Sequence, residues 1–475
     1  GPIILKLLII KSFIMSTFQN VNEKMTRYRW VICSLLFFAT TINYMDRNVI
    51  AFLKEFFCSP VAEGGFGWSN SDFSYVTAFF TAAYAGFTVF SGVVIDKIGA
   101  KMGLALSLIV WSLSGIANAF VGKTVALHVA IRSVFGLGEA GNFPASIKTV
   151  TEWFPKRERS LATGIFNSGS NVGAMISALF VPWCLVYFGP ALGWKMAFIL
   201  TGGIGFVWLF FWFALFKSQK KLLEAGTINQ SEYDYIHIDD AELTPEQVEN
   251  AKNGIKEKVS WSKMLRYPQT WSFFFGKFMT DGIWWFLLFW LPDYLKKQFH
   301  MTTQEVMWPT FIVFGIAIIG SVFGGSIPMF FMNKGMNAYK ARMTSMFLIA
   351  LCPVSLLLTQ YFGNVEHFGT AAMYMATGVI CLAGAAHQAW SANLFTTVSD
   401  MFPKKAIASV TGIGGLAGGI GGVLVQLFAG FITDLYAATP TVAYGIMFGV
   451  CAFAYLIAWV IMKTLVPQYK IITDL

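Results

Sequence analysis

The chain has 475 residues, of which 56% are hydrophobic, 17% aromatic and only 12% charged, about half the charged share of a soluble domain. That composition excludes a soluble enzyme and points to an integral membrane protein. The net charge of +9 does not mark a nucleic-acid binder, because the bases lie in short clusters between apolar runs, where topology bias puts them.

Residues 1–24, opening "GPIILKLLIIKSFIM", read as a tag or upstream segment: the apolar run is too short to span, holds lysines and lacks a signal-peptide cleavage pattern. Apolar segments then fall near 28–53, 72–95, 102–121, 125–150, 159–188, 194–216, 268–295, 307–332, 342–362, 369–399, 407–434 and 440–464. Runs of about 20 residues cross a hydrocarbon layer about 30 Å thick as helices, so twelve spanning helices are predicted. The polar stretch 217–267 separates an N-terminal set of six (25–216) from a C-terminal set (268–475). Within it, Thr244 as N-cap and Pro245 in the first turn predict a short surface helix.

Lys24, Arg27, Arg29, Lys97, Lys101, Lys156, Arg157, Arg159, Lys334, Lys340, Arg342, Lys404 and Lys405 all fall on one side of such a topology. The positive-inside tendency makes that side cytoplasmic, with both termini inside and the inner membrane as the location. Lys296 and Lys297 are the main exception. Five of six cysteines lie in apolar segments, no C-x-x-C occurs, and no His, Cys and acidic residues sit at metal-ligand spacing, so neither a disulfide framework, a metal nor a cofactor is expected.

"TVTEWFPKRERSLATGI" from Thr149 and "TVSDMFPKKAIASVTGI" from Thr397 share T-V, F-P-K and T-G-I at an offset of 248 residues. The matching loops follow the fourth and tenth helices, so six helices have been duplicated in the same direction. Parallel repeats of six are the plan of the major facilitator transporters. "GVVIDKIGAK" (Gly92 to Lys101) is similar to the pattern that superfamily carries after its second helix. Gly92 and Gly99 allow close helix approach and a tight turn, and Asp96 can pair with loop bases or a helix N-terminus. With Lys97, these residues form a candidate gate latch; topology determination alone is the alternative.

Charges in the hydrocarbon core are expensive and mark function. The first half has Asp46 and Arg47 in "ATTINYMDRNVIAF", and Arg132 and Glu139 in "AIRSVFGLGEAGNFPA". Neighbours on a helix point about 100° apart, so Asp46 and Arg47 need partners elsewhere, whereas Arg132 and Glu139, two turns apart, share a face. The four sum to zero. An anion that takes an arginine would leave a carboxylate unpaired and ready to accept a proton; two structural salt bridges are the alternative.

"INYMDR" with "R-x6-GEAGNFPA" resembles the anion–cation symporter family, whose members carry hexuronates, galactonate and other organic acids. The resemblance runs over nearly the whole chain after residue 25. It implies that Arg47 and Arg132 hold a substrate carboxylate and that Asp46 and Glu139 carry the coupling proton. "GKFMTDGIWWFLLFWLPDYL" and "AAHQAWSANLFTTVSDMFPKK" are similar to the hexuronate branch, which implies a glucuronate or galacturonate transporter.

Lys277 and Asp281, four apart, can pair; Lys277 can instead bind a hydroxyl-rich anion or snorkel. Trp284 and Trp285 offer flat surface to a sugar ring or anchor at the lipid interface. Adding the repeat offset to Glu139 gives His387, which can contact substrate hydroxyls, pack, or join the coupling. Gln388, Ser391 and Asn393 add hydrogen-bonding groups nearby. In "GIFNSGSNVG" the family places an amide near Asn171, a candidate for a substrate hydroxyl or for interhelical bonding. Tyr44, within a turn of the charged pair, is favoured over Tyr84. "GIGGLA" from Gly412 follows no strand, so it is not a dinucleotide site; its glycines are expected to let the eleventh helix pack and slide. The expectation is a monomeric transporter of twelve helices in two six-helix bundles, moving a sugar-acid anion with a proton.

Overall fold

The computed structural model describes residues 24–238, 260–402 and 404–475, with positions 245 and 249. The helix predicted at Thr244 and nearly all of segment 1–24 lie outside the described residues. Among them, twelve long helical stretches make up the molecule: α1 (Tyr28–Cys58), α2 (Asn70–Ile98), α3 (Ala100–Ala117), α4 in two pieces (Val125–Glu139 and Asn142–Trp153), α5 (Lys156–Phe188), α6 (Pro190–Leu215), α7 (Pro268–Phe299), α8 (Met307–Met332), α9 (Ala338–Leu351, prolonged by a 3-10 turn), α10 (Ala371–Met401), α11 (Lys404–Leu435) and α12 (Pro440–Leu465). Local chemistry sets many of the ends. Ser69 and Asp72 form a reciprocal capping box at the start of α2, and prolines open α6, α7 and α12 in their first turn. Gly99 turns the chain between α2 and α3 with φ 88°, the left-handed conformation that a glycine there was expected to supply.

Among the described residues, eight helices are long and apolar enough to cross a membrane, with mean hydropathy from 1.6 to 2.2. The four that fall short are α1, α4, α7 and α10, the first and fourth of each half. α4 falls short because it is broken into pieces of 15 and 12 residues, whereas α1, α7 and α10 carry polar groups within the span, Asp46, Arg47, Lys277, Asp281 and His387 among them.

The halves meet through α2 against α11, α5 against α8, and α1 against α7. Small residues allow these contacts. On α11, a Cβ at Gly414 would collide with the Phe273 ring, at Gly421 with the Phe278 carbonyl, and at Gly419 with Ala85 of α2. The "GIGGLA" helix is therefore packed on two sides, one in each half. On α5, a Cβ at Gly173 would lie 2.3 Å from the Thr41 carbonyl oxygen and 2.8 Å from the Tyr44 Cβ. Replacing Gly173 with valine must push α5 off α1, and an expected loss of about 2 kcal/mol or more would appear as a lower unfolding temperature in detergent.

The ends of the halves are strapped separately at the face where both described chain ends lie, called here the terminal face. Glu232, in a short helix after α6, accepts from the backbone N–H of Tyr28 at 3.1 Å and of Arg29 at 3.0 Å, and so caps α1. Arg29 also pairs with Glu158 at 2.8 Å. In the second half, Ile472 of the tail donates to the Met401 carbonyl at 2.9 Å, and Gln269 donates to that of Lys470 at 3.0 Å. Each strap holds within one half, which leaves the halves free to tilt against each other.

Candidate functional site

α1 and α4 bring Asp46, Arg47, Arg132 and Glu139, all buried, near one another in the middle of the first half. Arg47 Nε donates to Glu139 Oε2 at 2.9 Å, and its NH2 donates to Asn43 Oδ1, one turn earlier, at 3.2 Å. The guanidinium is framed by rings, 4.2 Å from the centre of Tyr44, 4.6 Å from Tyr84 and 5.2 Å from Trp285 of the other half. These cation–π contacts favour an arginine charge in a water-poor site. Tyr84 also faces the guanidinium, though Tyr44, favoured over it from sequence, lies nearer.

Arg132 differs from Arg47. It is 1% exposed and its NH2 donates to the Arg47 carbonyl at 3.1 Å, yet among the described residues Nε and NH1 have no hydrogen-bond partner, and neither does Glu139 Oε1. The Phe135 ring lies 4.1 Å from its guanidinium. Two unpaired donors on a buried cation are costly to keep and form a ready-made fork for a carboxylate.

Asp46 meets a partner other than the one the charge count suggested. Trp111 of α3 donates its indole N–H to Asp46 Oδ2 at 3.1 Å, the Thr201 side chain of α6 faces the same carboxylate, and Oδ1 makes no hydrogen bond within 3.5 Å among the described residues. No Asp46–Arg132 bridge forms among the described residues, because α1 turns Asp46 away toward α3 while presenting Arg47 to α4. Trp111, Thr201 and Asn43 are neighbours that sequence reasoning missed; only the four-residue spacing of Asn43 from Arg47 could have signalled one of them.

In the second half, Lys277 pairs with Asp281 at 2.7 Å, as their spacing allowed, and its ammonium lies 4.7 Å from the Phe395 ring centre. Trp285 marks the level of Arg47, and Lys277 lies a little over two turns, about 12 Å, nearer the terminal face. Its side chain runs back toward Trp285, however, since the ammonium reaches Asp281, one turn below, and lies within electrostatic reach of His387. Trp284 stacks on His387 at 5.4 Å and 9°, and His387 Nδ1 lies 2.7 Å from the Tyr455 hydroxyl. Asn393 has both amide hydrogens on backbone carbonyls, of Gly324 in α8 and of Ala389, each at 2.9 Å, so it stitches α8 to α10. Asn171 is buried with its Oδ1 unpartnered, while Gln388 is half-buried.

The gate residues divide. Among the described residues, no atom comes within 4 Å of a Cβ built at Gly92, so they show no close approach there. Lys97 is exposed, and the Asp96 side chain lies outside what is described.

At the far face, by contrast, ions tie the halves. Lys54 of α1 pairs with Asp293 of α7 at 3.0 Å, with both side chains 2% exposed or less. Lys297 also reaches Asp293, at 3.3 Å, and Lys296 meets Glu55 at 2.8 Å. Asp434 of α11 accepts from the N–H groups of Asn70 and Ser71 at 2.8 Å each and so caps α2 across the interface. The two lysines that broke the charge pattern are part of this lock.

The Major Facilitator Superfamily profile matches residues 36–426. The chain is 29% identical to the hexuronate transporter of Escherichia coli (strain K12) over 442 residues, 93% of this chain and 95% of that protein. It is 30% identical to the galacturonate transporter of Dickeya chrysanthemi over 312 residues, covering 65% and 84%. Among solved structures, an inward-open xylose transporter from E. coli superimposes with a TM-score of 0.64 at 14% identity, covering 93% of this chain and 97% of that one. An all-helical membrane architecture, a duplicated six-helix plan and the family match agree: the chain belongs to the Major Facilitator Superfamily of transporters.

Proposed function

We propose that this protein imports a hexuronate, glucuronate or galacturonate, with a proton, by rocking one six-helix half against the other. The observation that carries this reading is Arg132, a buried cation with two unpaired donors next to the Arg47–Glu139 ion pair. A carboxylate taken up by Arg132 and Arg47 would compete with Glu139 for Arg47. The displaced Glu139 is then an unpaired buried acid, most cheaply kept as the neutral form, so one proton enters with each anion. Asp46, buried and without a cationic partner in hydrogen-bond contact, is the second acid of the coupling set.

The second half favours one carboxylate per substrate. Near the level of Arg47 it offers Trp284, Trp285 and His387, and the one cation close by, Lys277, is already neutralised by Asp281 at 2.7 Å, a set that suits a hydroxylated ring rather than a second anionic group. The names of the similar transporters support a uronate. The clustering of Lys and Arg supports a cytoplasmic terminal face in an inner membrane, so the far-face lock closes the outside. The protein works as a monomer in this reading, with no metal, cofactor or nucleic acid.

Uptake into proteoliposomes tests it. Glucuronate and galacturonate should compete for transport well ahead of an aldonate such as galactonate and of a dicarboxylic sugar acid. An outside-acid gradient should drive accumulation that a protonophore abolishes. Competition by the aldonate alone would replace the substrate, and accumulation indifferent to the gradient would make the protein an anion exchanger.

A further inference from the structure

The Trp284–His387 stack is held from behind by a residue outside the cavity-facing set. Tyr455 of α12 is fully buried, and its hydroxyl lies 2.7 Å from His387 Nδ1. Trp390 stands edge-on to the Tyr455 ring at 5.7 Å and 85°, which fixes where the phenol points. Among the described residues the Tyr455 hydroxyl has no other hydrogen-bond partner.

That isolation decides the direction of the bond. If the imidazole donated from Nδ1, the phenol hydrogen would be left in the interior with nothing to accept it, an arrangement folded proteins avoid. If the phenol donates, both groups are satisfied and Nδ1 carries no hydrogen, so a neutral imidazole must carry its hydrogen on Nε2. The stack on Trp284 at 9° then holds the ring plane. Lys277 and Asp281 lie within electrostatic reach of the ring, and Asp281, one turn before Trp284, is against α11 where a Cβ at Gly418 would meet its carboxylate. His387 is also the repeat counterpart of Glu139, which places it on the side of the second half that faces the anion site.

We infer that Tyr455 is a positioning residue for substrate recognition: its hydroxyl locks His387 as the Nε2–H tautomer, giving the second half one directed N–H donor for a ring hydroxyl of the sugar acid beside Trp284. The inference rests on the sugar-acid reading above and adds to it the means by which the uncharged end of the substrate is recognised. A hydroxyl oxygen presented to that donor is bound; a deoxy analogue leaves the N–H without an acceptor.

The chain holds only five histidines, so nitrogen-15 spectra of histidine-labelled protein can be assigned by loss of one signal in His387→Gln. The expected wild-type spectrum shows His387 protonated at Nε2, and Tyr455→Phe should mix or reverse the tautomers. In uptake, Tyr455→Phe should raise KM about tenfold, the worth of one hydrogen bond to a polar substrate, with the maximal rate changed less than about twofold. In the His387→Gln background the same substitution should leave KM unchanged, because its route of action is already gone.

A wild-type signal from Nδ1–H, or a Tyr455 effect that persists in the His387→Gln protein, overturns the inference. The wild-type spectrum decides the tautomer even if Tyr455→Phe fails to fold. Absence of uronate uptake by the wild-type protein would defeat the function reading and the recognition role together, whereas normal uptake with unchanged KM in Tyr455→Phe would defeat this inference alone.

Discussion

Arg132→Ala should abolish uptake while leaving a folded protein. The side chain is buried, makes one hydrogen bond to the Arg47 carbonyl and presents two unpaired donors. A carboxylate accepting both would gain charge-assisted bonds worth about 1.5–3 kcal/mol each, so their loss lowers uptake at low substrate by at least about 100-fold. Arg132→Lys should restore little, since an ammonium cannot offer the planar fork. The partner acid should separate binding from coupling. Glu139→Gln keeps a hydrogen-bonding group beside Arg47 but cannot exchange a proton, so counterflow of labelled substrate should persist while accumulation against a gradient disappears. Full accumulation in Glu139→Gln removes it from the coupling, and uptake by Arg132→Ala within about tenfold of wild type removes Arg132 from the carboxylate site.

The membrane spans, the duplication and the charged set could be read from sequence because each rests on spacing within one helix or on a fixed offset along the chain. Lys277 and Asp281 pair as i and i+4, and the offset of 248 led from Glu139 to His387 in the second half. Which acid meets which base could not be read that way. Arg47 meets Glu139 and Asp46 meets Trp111 because α1 is rotated between α4 and α3, and no local pattern records that rotation.

The offset carries Tyr455 to Val207 in the first half, so the duplication gives no hint of the group that holds His387. Lys54 was hidden by a boundary. The apolar run ends near residue 53, which makes Lys54 a flanking charge, but α1 continues to Cys58 and carries Lys54 a full turn inside, against α7. Within the latch motif, the turn at Gly99 was legible, whereas Gly92 has no close neighbour among the described residues.

Breaking the Lys54–Asp293 pair should have the largest conformational effect of any single change. Both side chains are buried between the halves, and Asp293 also accepts from Tyr444 of α12 and pairs with Lys297. Lys54 in turn donates to Asn70 Oδ1 at 2.6 Å and lies 5.0 Å from the Trp290 ring centre. Removing one member of such a pair leaves an uncompensated buried charge and costs about 3–5 kcal/mol, but only in the state closed at the far face, since opening lets water reach the lysine. Asp293→Ala should therefore move the balance toward far-face opening by at least about 100-fold. Spin labels placed at Glu55 and Lys296, 2.8 Å apart at their charged tips here, would report longer distances. Replacing both members with apolar residues of similar size, Lys54→Met with Asp293→Leu, should do the reverse, because a packed apolar contact holds the closed state without needing rehydration to reopen. That double variant should keep the short label distance and transport more slowly than wild type. Equal label distances in Asp293→Ala and wild type would mean that α2 against α11 and α5 against α8 close the far face without help from the ion pair.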